Sequence, residues 1–139
     1  MFEWDENSGQ VTRISVDKEK ARALLKLVEM RERDLAKKND EFVTLIVEGY
    51  YEIVKELITA IMAVDGWKTL SHELLIGYLA RFYKEFESSE TYLIDQLRKT
   101  RNEIAYRGLM IQPDYLKRNR KNILEIISKL KKIVTGKIR

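Results

Sequence analysis

With 139 residues and no cysteine, the chain suits one domain held by a hydrophobic core, and disulfides and thiolate metal sites are excluded. One proline and six glycines leave few helix breakers, which favours long helices over a loop-rich β fold. The net charge of +4 is unevenly spread: from Arg98 to Arg139, 13 Lys or Arg stand against three acids, while residues 1–97 hold 13 bases and 19 acids. A basic third joined to an acidic remainder points to a negatively charged partner or a self-complementary assembly.

The first ten residues, MFEWDENSGQ, lack the basic start and apolar run of a signal peptide. The most apolar stretch, 42–64, is interrupted by Glu48, Glu52, Lys55 and Glu56 and is too charged for a membrane span. The expectation is a soluble, cytoplasmic protein with no membrane partner.

In chain order, residues 1–14 show no helical period and read as an extended arm, with Phe2 and Trp4 available to anchor it. Residues 15–139 read as a single helical domain. Ser15 or Asp17 can cap a first helix, whose apolar stripe is Ala21, Leu24, Leu25, Val28 and Leu35. Asn39 or Asp40 caps a second. Its apolar positions, from Phe42 through Leu45, Ile46, Tyr50, Ile53, Val54, Leu57, Ile58 and Ile61 to Met62, are broad enough to meet neighbours on two sides, which makes it the central helix. Gly66 suits the left-handed conformation that ends it.

Ser71 caps a third helix carrying Leu75, Tyr78, Leu79, Phe82 and Phe86 on one face. Ser88 or Ser89 starts a fourth, with Leu93, Ile94, Leu97, Ile104 and Ala105 apolar and Gly108 closing it. Pro113 fits the first turn of a fifth, which buries Leu116, Ile123, Ile126, Ile127, Leu130, Ile133 and Val134. Short connections then give an all-α, up-and-down bundle of about five helices, four forming the core beside one shorter helix.

Phosphate loops, dinucleotide fingerprints and metal-binding helix motifs are absent from the sequence, and no cofactor or metal is expected. Ser71 and His72 are adjacent, but neighbours on a helix point about 100° apart, so they do not form a nucleophile and base pair. The informative run is Arg98-Lys99-Thr100-Arg101-Asn102-Glu103-Ile104-Ala105-Tyr106-Arg107-Gly108. Arg101 falls inside the apolar arc of its helix, where a guanidinium is costly unless it is paired or lines a cleft. Two readings fit: a buried Arg bridging to an acid on the first or second helix, or a group that receives an anion. Arg98, Asn102 and Tyr106 form a second column one turn apart.

Arg101-Asn102-x-x-x-Tyr106, preceded by Arg98, resembles the motif of the HEPN superfamily (higher eukaryotes and prokaryotes nucleotide-binding), in which Arg and a polar residue precede a His. The run Asp65-Gly66-Trp67-Lys68-x-x-Ser71-His72-Glu73-x-Leu75-Ile76 is similar to the segment joining two helices in such proteins, and the resemblance covers about residues 17–134. It implies a bundle that dimerises with its motifs in a basic cleft. Active members are metal-independent endoribonucleases in which Arg and the polar residue hold the scissile phosphate and the His assists attack by the 2′-hydroxyl.

Carried over, Arg101 and Asn102 contact phosphate and Tyr106 stands in the His position. A phenol with a pKa of about 10 is a poor general base at neutral pH, so the resemblance implies a nucleotide- or RNA-binding variant that is weak or inactive as a nuclease. An active endoribonuclease using Tyr106 is the first alternative. The second is an interaction module paired with a protein such as a nucleotidyltransferase.

Further candidates are Arg107 and the cluster Lys117, Arg118, Arg120 and Lys121, read either as a solvated helix face or as a phosphate-tracking surface. Lys68 and His72 are cleft candidates by the resemblance, with a capping or surface role for His72 as the plainer reading. Tyr115 stands beside the basic cluster as a base-stacking group or an amphipathic helix edge.

Overall fold

The computed structural model describes residues 3–139, and Phe2, one of the two expected anchors, lies outside them. The chain is all-α except for one two-stranded ribbon. Its elements are β1 (Val11–Arg13), α1 (Lys18–Ala36), a 3-10 turn (Asp40–Phe42), α2 (Val43–Asp65), β2 (Trp67–Thr69), α3 (His72–Phe82), α4 (Ser88–Arg107) and α5 (Pro113–Lys137). No helix among the described residues is long and apolar enough to cross a membrane.

Helix α2 is the axis of the bundle and touches all four other helices. Its breadth of apolar positions explains this: Ile53, Val54, Leu57, Ile58 and Ile61 are all fully buried, each worth about 1.5–3 kcal/mol of transfer free energy. The other helices bury one stripe each, such as Ala21 and Val28 on α1 and Leu116, Ile123, Ile127 and Leu130 on α5. Four expected apolar positions are not in the core. Phe42 lies in the turn ahead of α2, Leu45 is on the outward side of its first turn, α3 ends at Phe82, and Ala105 is on the last turn of α4 beyond the packed region.

The helix ends follow local chemistry. Asp17 caps α1 by accepting from the Lys20 backbone N–H at 2.9 Å, and Ser71 caps α3 through the Leu74 N–H at 3.2 Å. Asn39 caps the 3-10 turn, and α2 follows directly on it. Helix α4 is started by Glu87 rather than by either serine: Glu87 and Glu90 form a reciprocal capping box, which satisfies two backbone donors where a serine would satisfy one. Gly66 ends α2 at φ 91°, where a side chain would be strained.

That turn sends the chain into β2, which pairs antiparallel with β1 in the register Val11↔Thr69, Thr12↔Lys68 and Arg13↔Trp67. The N-terminal arm is therefore extended, as expected, but part of it is a strand. The arm is also pinned by Trp4, whose ring meets Trp67, Tyr78 and Phe82 edge-on at centroid distances of 5.4, 4.9 and 6.1 Å.

Candidate functional site

On α2, Tyr51, Glu52, Lys55 and Thr59 lie on one edge at helical spacing, facing α4 and the start of α3. Arg101 on α4 reaches this edge: its Nε lies 3.3 Å from Glu52 Oε1, yet out of line for a hydrogen bond, so that buried Nε has no hydrogen-bond partner among the described residues. Glu52 also holds Lys55, with Nζ at 2.5 Å. One carboxylate thus serves two cations. Arg101 remains 27% exposed, and its terminal nitrogens have no protein acceptor among the described residues.

One turn earlier on α4, Arg98 Nε donates to Asp95 Oδ1 at 2.9 Å, and an Nη lies 3.8 Å from Glu73 on α3. Arg98 is therefore a tie between α4 and α3 as much as a ligand donor. His72, the first residue of α3, points back to α2, with its Nδ1 2.9 Å from the Tyr51 hydroxyl. That hydroxyl has no other acceptor among the described residues, so it donates to Nδ1 and the ring proton sits on Nε2.

The electrostatics follow from this crowding. Burial, then the positive charges of Lys55, Arg101 and Arg98, hold the His72 imidazole below its ordinary value, with Glu52 acting against them. Burial disfavours the Glu52 carboxylate, but the Lys55 hydrogen bond and the charges of Lys55, Arg101 and Arg31 outweigh it and bring its pKa below the usual range. Burial raises the Tyr51 hydroxyl pKa, so that group stays a proton donor. The site at neutral pH is a neutral imidazole beside a carboxylate and several cations.

The sequence candidates divide around this seam. Arg98, Arg101 and His72 belong to it. Tyr106 does not: it is 82% exposed on the last turn of α4 and sits about 140° round the helix from Arg101. Asn102 is half-buried and lies between the two directions. Arg107 is exposed and lies 3.5 Å from Glu103 on its own helix.

The basic run of α5 is largely spoken for. Arg118 pairs with Asp114 at 2.9 Å and Arg120 with Asp40 at 3.1 Å. Lys129, Lys131 and Lys137 meet Glu90, Glu32 and Asp65 at 2.8, 2.8 and 2.7 Å. Lys117 and Lys121 are exposed and form no ion pair among the described residues. The ring of Tyr115 is half-buried and its hydroxyl is sealed without a partner, so it is not presented as a stacking surface.

Sequence reasoning missed Glu52, Lys55 and Tyr51 as site residues. The only trace they left was a set of polar groups at spacing 1, 3 and 4 on an otherwise greasy helix. Lys68 is exposed on β2 and lines a separate cleft with Lys20, Lys55 and His72. Compared with protein families, with curated proteins and with solved structures, the chain finds no match.

Proposed function

We propose that the chain is a nucleotide- or RNA-binding helical bundle of the HEPN type, weak or inactive as a nuclease, with Arg101 as its phosphate-contacting group. The observation that carries this reading is the half-satisfied guanidinium. Glu52 lies beside Arg101 but shares its charge with Lys55, and the Arg101 side chain stays 27% exposed with its Nε lacking a hydrogen-bond partner among the described residues. The planar guanidinium fork matches two oxygens of a phosphate. Asn102 adds a neutral donor, and the displacement of Tyr106 fits a site without an efficient base. Pairing of two protomers across their motifs belongs to the same proposal.

The test is fluorescence anisotropy of labelled single-stranded RNA at low and moderate salt. Wild type should bind with an affinity that falls steeply with salt, and Arg101→Ala should bind at least about tenfold more weakly, the loss of one charge-assisted contact. Equal binding by the two proteins, or none by either, refutes it.

One observation favours a second reading, a metal-independent endoribonuclease. His72 brings a neutral imidazole into the field of Arg98 and Arg101, which Tyr106 on the far turn does not supply. RNA cleavage that persists in excess chelator and is lost in both Arg101→Ala and His72→Ala would establish it. Intact RNA would remove it.

A further inference from the structure

Next to the seam, a cleft of about 220 Å³ opens between the first turn of α1, α2, β2 and the start of α3. Its charged lining is all of one sign. Lys20 comes from α1, Lys55 from α2 and Lys68 from β2, with His72 of α3 beside them and no carboxylate in the wall. Met62, Leu75 and Trp67 supply apolar surface, and Leu70, 88% exposed, stands at its edge. Bringing three lysines to one concavity from three separate elements raises electrostatic self-energy, and the fold supplies little to offset it. Lys55 has Glu52, whereas the ammonium groups of Lys20 and Lys68 form no ion pair among the described residues. Two positive charges are left over.

The hydroxyls lining the cleft are already committed as donors. Thr59 Oγ1 donates to the Lys55 carbonyl at 2.8 Å and Thr69 Oγ1 to the Gln10 carbonyl at 2.7 Å. The side-chain donors that remain are the lysine ammonium groups, the Nε2–H of His72 and the indole N–H of Trp67. A ligand for this cleft must therefore be rich in acceptors, small and doubly negative. A phosphate monoester carries about −1.5 to −2 charges at neutral pH, whereas an internal phosphodiester carries one.

We propose that this cleft binds a terminal phosphate monoester, with Lys20 and Lys68 neutralising its charge and His72 donating to one of its oxygens. The proposal rests on the reading of the adjacent seam as a nucleotide or RNA site. The monoester is then the phosphate end of a ligand whose next phosphate lies toward Arg101.

His72 is the only histidine in the chain, so its imidazole proton signals report the cleft without assignment. The charged and titratable groups around it are Lys20 from α1, Tyr51, Glu52 and Lys55 from α2, Lys68 from β2, Glu73 beside it on α3, and Asp95, Arg98 and Arg101 from α4. The full chain is titrated by proton NMR with inorganic phosphate, adenosine 5′-monophosphate and adenosine, each against chloride of matched ionic strength.

Phosphate and the monophosphate should move the His72 signals saturably and raise its apparent pKa, while adenosine should not. A Lys20→Gln/Lys68→Gln double variant should bind at least about tenfold more weakly, and Lys→Arg replacements at both positions should restore binding. Both lysines lie outside the core, and a thermal melt like that of wild type would confirm that the variant is folded. Signals that follow phosphate no more than chloride, or that move equally in the double variant, overturn the proposal. If Arg101-dependent RNA binding holds while phosphate leaves His72 unmoved, the cleft proposal alone falls. If phosphate is bound and RNA is not, the cleft stands and the RNA reading falls.

Discussion

Arg101 and Glu52 form an incomplete pair. A lone Arg on an apolar arc allowed two readings, an internal salt bridge or an open anion site; in the fold the guanidinium lies beside Glu52 and stays 27% exposed. The helical projection located Arg101 correctly because angle around a helix depends only on spacing. It could not show that Glu52 would be shared with Lys55, since that depends on which helix packs opposite. Glu52→Gln removes the competing charge while keeping the shape. It should tighten RNA binding by about three- to tenfold and lower stability by about 1 kcal/mol, as expected for a partly buried pair. Anisotropy and urea denaturation measure the two effects.

His72 gives a pH prediction with a definite sign. Its folded pKa lies below the ordinary value of 6.5, so the unfolded chain binds the proton more readily. The stability tied to neutral His72 is complete above that ordinary value and is lost as pH falls below it through the lowered folded pKa. Melting temperature should therefore drop more steeply on acidification in wild type than in His72→Gln. Parallel profiles would show that the imidazole is not held neutral by the fold.

At the scale of elements, α5 shows what a run of charge conceals. Its basic residues read equally well as a phosphate track or a solvated face, and four of them, Arg120, Lys129, Lys131 and Lys137, do neither. They reach Asp40, Glu32, Glu90 and Asp65 on other parts of the bundle. Partners 39 to 99 residues away leave no local pattern. The same holds for Asp65, which accepts from the Tyr78 and Tyr83 hydroxyls at 2.5 Å each and from Lys137 at 2.7 Å. It ties the end of α2 to α3 and to the last turn of α5. Asp65→Ala strands three donors at once and should cost about 2–4 kcal/mol, read as a lower urea midpoint. A change below about 0.5 kcal/mol would mean that the knot is solvated.

For the molecule as a whole, helix order and the central place of α2 were readable because each helix carries a long apolar period and an identifiable stop. The ribbon was not. Val11–Arg13 and Trp67–Thr69 are three residues each, too short for an alternating pattern, and lie more than fifty positions apart. The ribbon matters because it delivers Lys68 to the cleft. The acidic two-thirds and the basic third are in large part each other's partners, so the charge surplus available to an outside ligand is narrower than the sequence implies. It is concentrated where Lys20, Lys68 and Arg101 lie around His72, with exposed Lys117 and Lys121 as the rival surface on α5.

Backbone amide shifts of isotope-labelled protein titrated with a short RNA decide between these two surfaces. Perturbations should centre on residues 51–59 of α2, the start of α3 at His72 and residues 98–102 of α4. Changes confined to the first turns of α5 around Lys117 and Lys121, or no changes at all, would contradict the account.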